Sequence, residues 1–152
     1  LSLIDRLGEN AAGLPGIVDE YEEHLSGAAR HLNMKGKTAQ EANAEHATWL
    51  YFYDQKRIEL YILKKHMEKE VSRIRGKLWK EYTETHSREL NARDKDNYIN
   101  QEKAFLNKDE LMLIVQELHD HYQAVVDAFK ARGYALNNIT KLRTSAIEND
   151  VI

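Results

Sequence analysis

The sequence predicts an all-α fold, with a long amphipathic basic helix followed by a C-terminal helical hairpin. Three observations carry that expectation. The last 116 residues contain only Gly76 and Gly133 as breakers and no proline, so long helices joined by short turns are the natural reading. Their apolar residues recur at threes and fours rather than alternating, which is helical periodicity. The third is the reach of the central apolar stripe, which runs from Trp49 to Tyr82 over about nine turns. A chain of 152 residues suits one compact domain, or a domain with an arm. With 42% hydrophobic and 31% charged residues it is too apolar for general disorder. No run of about 18 apolar residues predicts a membrane span. The absence of cysteine removes disulfides, thiolate metal sites and cysteine nucleophiles together, and makes a reducing cytoplasm the expected setting.

Residues 1–36 hold Gly8, Gly13, Gly16, Gly27, Gly36 and the only proline, Pro15, and read as a glycine-containing acidic N-terminal arm. Its "DEYEEHL" segment suits a solvated helix face or a contact for a basic partner.

Residues 37–106 read as a long helical region. Thr38 and Glu41 have the spacing of a capping box, in which each side chain satisfies the other residue's backbone N–H at a helix start. From there Trp49, Tyr53, Leu60, Leu63, Met67, Val71, Ile74, Leu78 and Tyr82 form one stripe. A helix from Ala39 to Thr83 spans roughly 65 Å at 1.5 Å per residue, more than a small domain covers. Part of the stripe is therefore expected to meet another copy of the chain.

Opposite Leu60 the same helix is cationic. At about 100° per residue, Lys65, Lys69, Arg73, Gly76 and Lys80 share the direction facing away from the core, and Arg75 and Lys77 flank Gly76. Residues 56–80 carry nine bases and three acids, a local balance of +6 inside a chain of −3. A one-sided cationic stripe is an electrostatic footprint for a polyanion, because each neutralised phosphate releases counterions. Gly76 costs the helix about 1 kcal/mol against alanine, yet it leaves room for an approaching backbone. Trp79 and Tyr82 stand nearby as rings on which single strands stack. Composition alone equally suits a solvated lysine-rich face with Trp79 in the core.

Residues 107–152 read as a C-terminal oligomerisation region. Asn107 with Glu110 offers a cap, and Gly133, after Lys130 and Arg132, offers a left-handed stop. A short helix through Leu136, Ile139, Leu142 and Ala146 would complete the hairpin. Leu118, Tyr122, Val126, Phe129, Leu136 and Ile139 are the expected contacts between protomers. No catalytic or metal constellation accompanies them. "MKGKT" lacks the first glycine of a phosphate-binding loop, since His31 stands there. His119 and His121 point to different sides of a helix, no glutamate precedes any histidine by three, and no serine lies in a nucleophile elbow. No enzyme activity, cofactor or metal is expected.

The order of "EANAEHATWL", "RGKL" (Arg75, Gly76, Lys77, Leu78) and "FKARGYALNNITKLR" (residues 129–143) resembles the UvsY-like recombination mediators of T-even-type bacteriophages, over about residues 37–143. That resemblance implies a non-enzymatic protein in the cytoplasm of the infected bacterial host. It implies a ring-shaped homo-oligomer, a hexamer or heptamer, built through the C-terminal helices. Its partners would be single-stranded DNA, a UvsX-like phage recombinase and the phage single-strand-binding protein, which the recombinase replaces. Lys65, Lys69, Arg73, Arg75, Gly76, Lys77 and Lys80 form the expected DNA-binding set, with the family's basic, small, basic, Leu motif at residues 75–78. Gly76 stands where the family commonly has alanine, which admits a bend. The alternative is a helical scaffold or adaptor without nucleic-acid function.

Overall fold

A computed structural model describes residues 2–85 and 89–150, and every regular element among them is helical. In chain order these are α1 (Leu3–Leu7), a 3-10 turn (Glu9–Ala11), α2 (Leu14–Ser26), α3 (Ala28–Leu32), α4 (Ala39–Thr85), α5 (Ala92–Gln101) and α6 (Lys103–Asp150). The all-α expectation holds. Two compact units divide the chain, one of Leu1–Ile17 with Glu59–His119, the other of Val18–Ile58 with Asp120–Ile152. Helices α2, α4 and α6 contribute residues to both.

In the first unit, Ser2 and Asp5 start α1 with a reciprocal cap: the Asp5 N–H donates to Ser2 Oγ at 3.2 Å and the Ser2 N–H to Asp5 Oδ2 at 3.3 Å. The Ser2 hydroxyl also donates to Asp5 Oδ2 at 2.8 Å, and this bond, followed by that from the Ser2 N–H, holds the Asp5 carboxyl below the usual range. The chain then reverses through Gly8, Asn10 and Ala11, all at positive φ (68°, 54° and 57°). The Gly13 N–H donates to Leu7 O at 2.8 Å, and a Cβ on Gly13 would stand 1.9 Å from Arg6 O. Only glycine fits that crossing. The reversal lets Leu3, Leu7, Ala11, Leu14 and Ile17 join the core to which α4 gives Leu60, Leu63 and Met67. The glycine-rich start of the chain is therefore partly a packed structural element.

Helix α4 begins as its sequence predicts. The Glu41 N–H donates to Thr38 Oγ1 at 3.1 Å and the Thr38 N–H to Glu41 Oε2 at 3.2 Å. It continues without interruption through Gly76. Helix α5 was not foreseen; Asn91 caps it by accepting from the Asp94 N–H at 2.8 Å.

The C-terminal hairpin is corrected. Helix α6 starts at Lys103, four residues before the expected Asn107 cap, and runs through Gly133 to Asp150 with no turn. Gly133 serves packing: a Cβ there would lie 2.8 Å from His46 Nε2, so the ring of α4 rests on the bare backbone of α6. Arg132 is buried, donating to His46 Nδ1 at 3.0 Å and to Glu45 Oε1 at 3.3 Å, and so is not a cation at a helix end. In this second unit Tyr53 stacks on Phe129 with centroids 5.2 Å apart, and the Tyr122 hydroxyl donates to Tyr21 O at 2.6 Å. Each such fully buried side chain contributes on the order of 1.5–3 kcal/mol.

Candidate nucleic-acid interface

The basic half of α4 lies in the first unit. Lys65, Lys69, Arg73, Gly76, Lys77 and Lys80 are exposed, as the sequence predicts, and Arg75 is half-buried. Helical geometry separates Arg75 from Lys77 by about 200°, and their surroundings differ accordingly. Arg75 donates to Asp96 Oδ1 at 3.2 Å and to Asn100 Oδ1 at 2.9 Å, with its guanidinium 4.6 Å from the Phe105 ring centre. It ties α5 and the start of α6 to α4. Lys77 lies on the opposite flank, in an open groove. The motif read as one linear patch is thus divided, with Gly76 exposed between its two halves.

A Cβ added at Gly76 would meet nothing within 4 Å, so no intramolecular contact requires glycine. Along the same face the cations differ in engagement. Lys65 pairs with Glu68 at 3.2 Å and Arg73 with Glu70 at 2.9 Å, while Lys80 stands 4.0 Å from Glu84. These are exposed pairs, and such pairs hold weakly against competing anions. Lys69 and Lys77 have no ion-pair partner among the described residues.

The nearby rings are already engaged. Lys95 lies 5.0 Å from the Trp79 ring centre, and Tyr82 stacks on Tyr98 at 5.5 Å. The Tyr82 hydroxyl donates to the Glu102 carboxylate, which pushes its pKa up to about 12. Trp79 and Tyr82 therefore fasten α5 to α4, the packing role that composition left open for Trp79.

The groove beside Lys77 has a volume of about 940 Å³. Its walls are the reversal at residues 8–11, the α4 flank with His66, Glu70, Arg73 and Lys77, and the first turns of α6 with Asn107, Lys108 and Glu110. The Glu70 carboxyl is held below its ordinary range, first by the Arg73 hydrogen bond and then by the charge of Arg73, His66 and Lys108. Cationic groups of two helices thus line one groove with this carboxylate. Lys108 and His66 escaped sequence reasoning because their proximity depends on how α6 lies against α4; a basic residue in the first turns of α6 was the only signal.

The expected protomer contacts lie elsewhere. Leu118, Tyr122, Val126, Phe129 and Leu136 are buried in the chain's own core and Ile139 is half-buried. Among the described residues, the large apolar side chains left exposed late in α6 are Tyr134 and Leu142, at 73% and 71%. His119 is buried with its ring 6.0 Å from Tyr61, His121 is exposed, and no group of three potential metal ligands occurs among the described residues. No described helix is long and apolar enough to cross a membrane. Comparison with known protein families, with curated proteins and with solved structures finds no match.

Proposed function

We propose that the chain binds single-stranded DNA through the exposed basic face of α4 and acts as a non-enzymatic recombination mediator. The observation that carries this reading is the alignment of Lys65, Lys69, Arg73 and Lys80 on one exposed face with Gly76 open in its middle. Cations spaced along a helix suit a flexible chain of phosphates, and the bare backbone at Gly76 lets that chain approach closely. The mediator role rests on the sequence resemblance around residues 75–78 and 129–143. It predicts exchange of single-strand-binding protein for a recombinase by differential binding, without nucleotide hydrolysis. Self-association into a hexameric or heptameric ring would multiply a modest face into avidity. Because the expected contacts are covered, Tyr134 and Leu142 are the side chains best placed to serve such assembly.

The binding claim is tested by titrating fluorescently labelled single strands and duplexes of equal length with the protein. Tighter binding of the single strand is expected. Equal or preferential duplex binding contradicts a face suited to flexible strands, and absence of both favours a helical scaffold.

A further inference from the structure

We propose that the groove formed by the 8–11 reversal, α4 and α6 seats one nucleotide of the bound strand, its phosphate displacing the Glu70 carboxylate from Arg73, with Lys77 and Lys108 as the further cations of the same groove. This inference rests on the single-strand reading and deepens it by giving the strand a path off the outer face of α4. Arg73 and Lys77 stand where that face meets the groove, so a strand held by Lys69 and Arg73 has its next phosphate within reach of α6.

The chemistry of the walls favours a nucleotide over a bare anion. Arg73 already donates to Glu70 Oε2 at 2.9 Å, and Lys77 and Lys108 line the same groove, so an anion entering it meets donors from two helices. A phosphate offers more acceptor oxygens to those donors than one carboxylate does. The same lining holds Asn10, Asn107 and Glu110, amide and carboxylate groups that complement the polar edge of a base. The reversal keeps its form by holding Asn10 at φ 54° and Ala11 at φ 57°, a conformation disfavoured for alanine. Such backbone outliers gather at ligand sites because surrounding structure must hold them there. At about 940 Å³ the opening is large enough for a nucleotide once the Glu70 side chain swings aside.

The test measures binding of an oligothymidylate of about eight nucleotides and of an abasic phosphodiester chain of equal length, a span within the usual range for single-strand sites. Four proteins are compared: wild type, Lys108→Gln, Asn10→Gly and Lys69→Gln. Circular dichroism confirms that each is folded. Lys108→Gln is expected to weaken both ligands and to lower the salt slope by about 0.7, one phosphate contact. Asn10→Gly keeps the left-handed backbone and removes the amide, so it should weaken the thymidylate several-fold while leaving the abasic chain unchanged. If Lys69→Gln weakens binding but Lys108→Gln and Asn10→Gly bind as wild type, the outer-face reading stands and the groove proposal is overturned. If wild type binds neither ligand, both fail.

Discussion

Replacing Gly76 by alanine separates folding from binding, because the two respond in opposite directions. Position 76 is exposed within the continuous α4, and an added Cβ meets no atom within 4 Å. The substitution therefore brings the helix preference without a steric penalty, stabilising the fold by about 1 kcal/mol. For a chain of this size that is a rise in melting temperature of roughly 2–4 °C. The cost falls on the bound strand. Gly76 lies between Arg73 and Lys80 on the same face, so a strand spanning those cations crosses the new methyl group. The alanine common at this place in the resembled family implies a more distant strand there, whereas a strand lying on the bare backbone of this chain would lose one charge-assisted hydrogen bond, about 1.5–3 kcal/mol, at least about tenfold in affinity. Thermal unfolding followed by circular dichroism reads the first effect, and fluorescence anisotropy with a labelled single strand reads the second. A higher melting temperature with unchanged or tighter binding would refute the close-approach reasoning. No rise in melting temperature would contradict an open, helical position 76.

The remaining predictions concern the packed elements. Gly133→Ala brings a Cβ to 2.8 Å from His46 Nε2, while Arg132 holds the same ring through Nδ1. Overpacking of about 1–3 kcal/mol should exceed the helix gain of about 1 kcal/mol, giving a lower urea midpoint; a higher midpoint would show that the ring moves freely. Arg75→Ala should lower stability by freeing α5 from Asp96 and Asn100, whereas Lys77→Ala should reduce strand binding with little change in melting temperature. Equal effects on binding would restore the motif as one linear patch. The pH dependence follows from His31 and His46, both held below the ordinary histidine range mainly by burial, with neighbouring positive charge adding to it. In the unfolded chain they take up protons as the pH falls through about 6.5, before the folded protein does. Their contribution is therefore complete above that value and declines as the pH falls through the folded pKa values. Urea midpoints should decrease from pH 7.5 to 5.5; a constant midpoint would contradict this burial.

What could be read from the sequence depended on how local its cause was. Helix α4 was legible because Thr38 and Glu41 satisfy each other's backbone across three residues, and because Leu60, Leu63 and Met67 are buried on one stripe. Gly133 misled because a glycine after basic residues looks like a helix stop, whereas its actual reason, His46, lies 87 positions earlier in the chain. Arg75 belonged to a recognisable motif, but its partners Asp96 and Asn100 sit on α5, a short helix that the sequence reading left inside one long helical region. The exposed cations were correctly placed by helical periodicity alone. The groove was invisible, since its walls come from residues within 7–11, 66–78 and 104–111. The buried side chains from Leu118 to Leu136 show the same limit: an apolar face can be recognised from spacing, but spacing does not say whether the chain itself or a second copy covers it.

The claim that the outer face of α4 binds single strands is tested most directly by the salt dependence of binding in wild type and in the Lys69→Gln, Lys80→Gln double variant. Both side chains are exposed on α4, and neither substitution opens the core. Binding should weaken as salt rises, and the variant's log–log slope should be shallower by about 1.4, two phosphate contacts at roughly 0.7 each. A variant with wild-type affinity and an unchanged slope would contradict the assignment of this face to DNA.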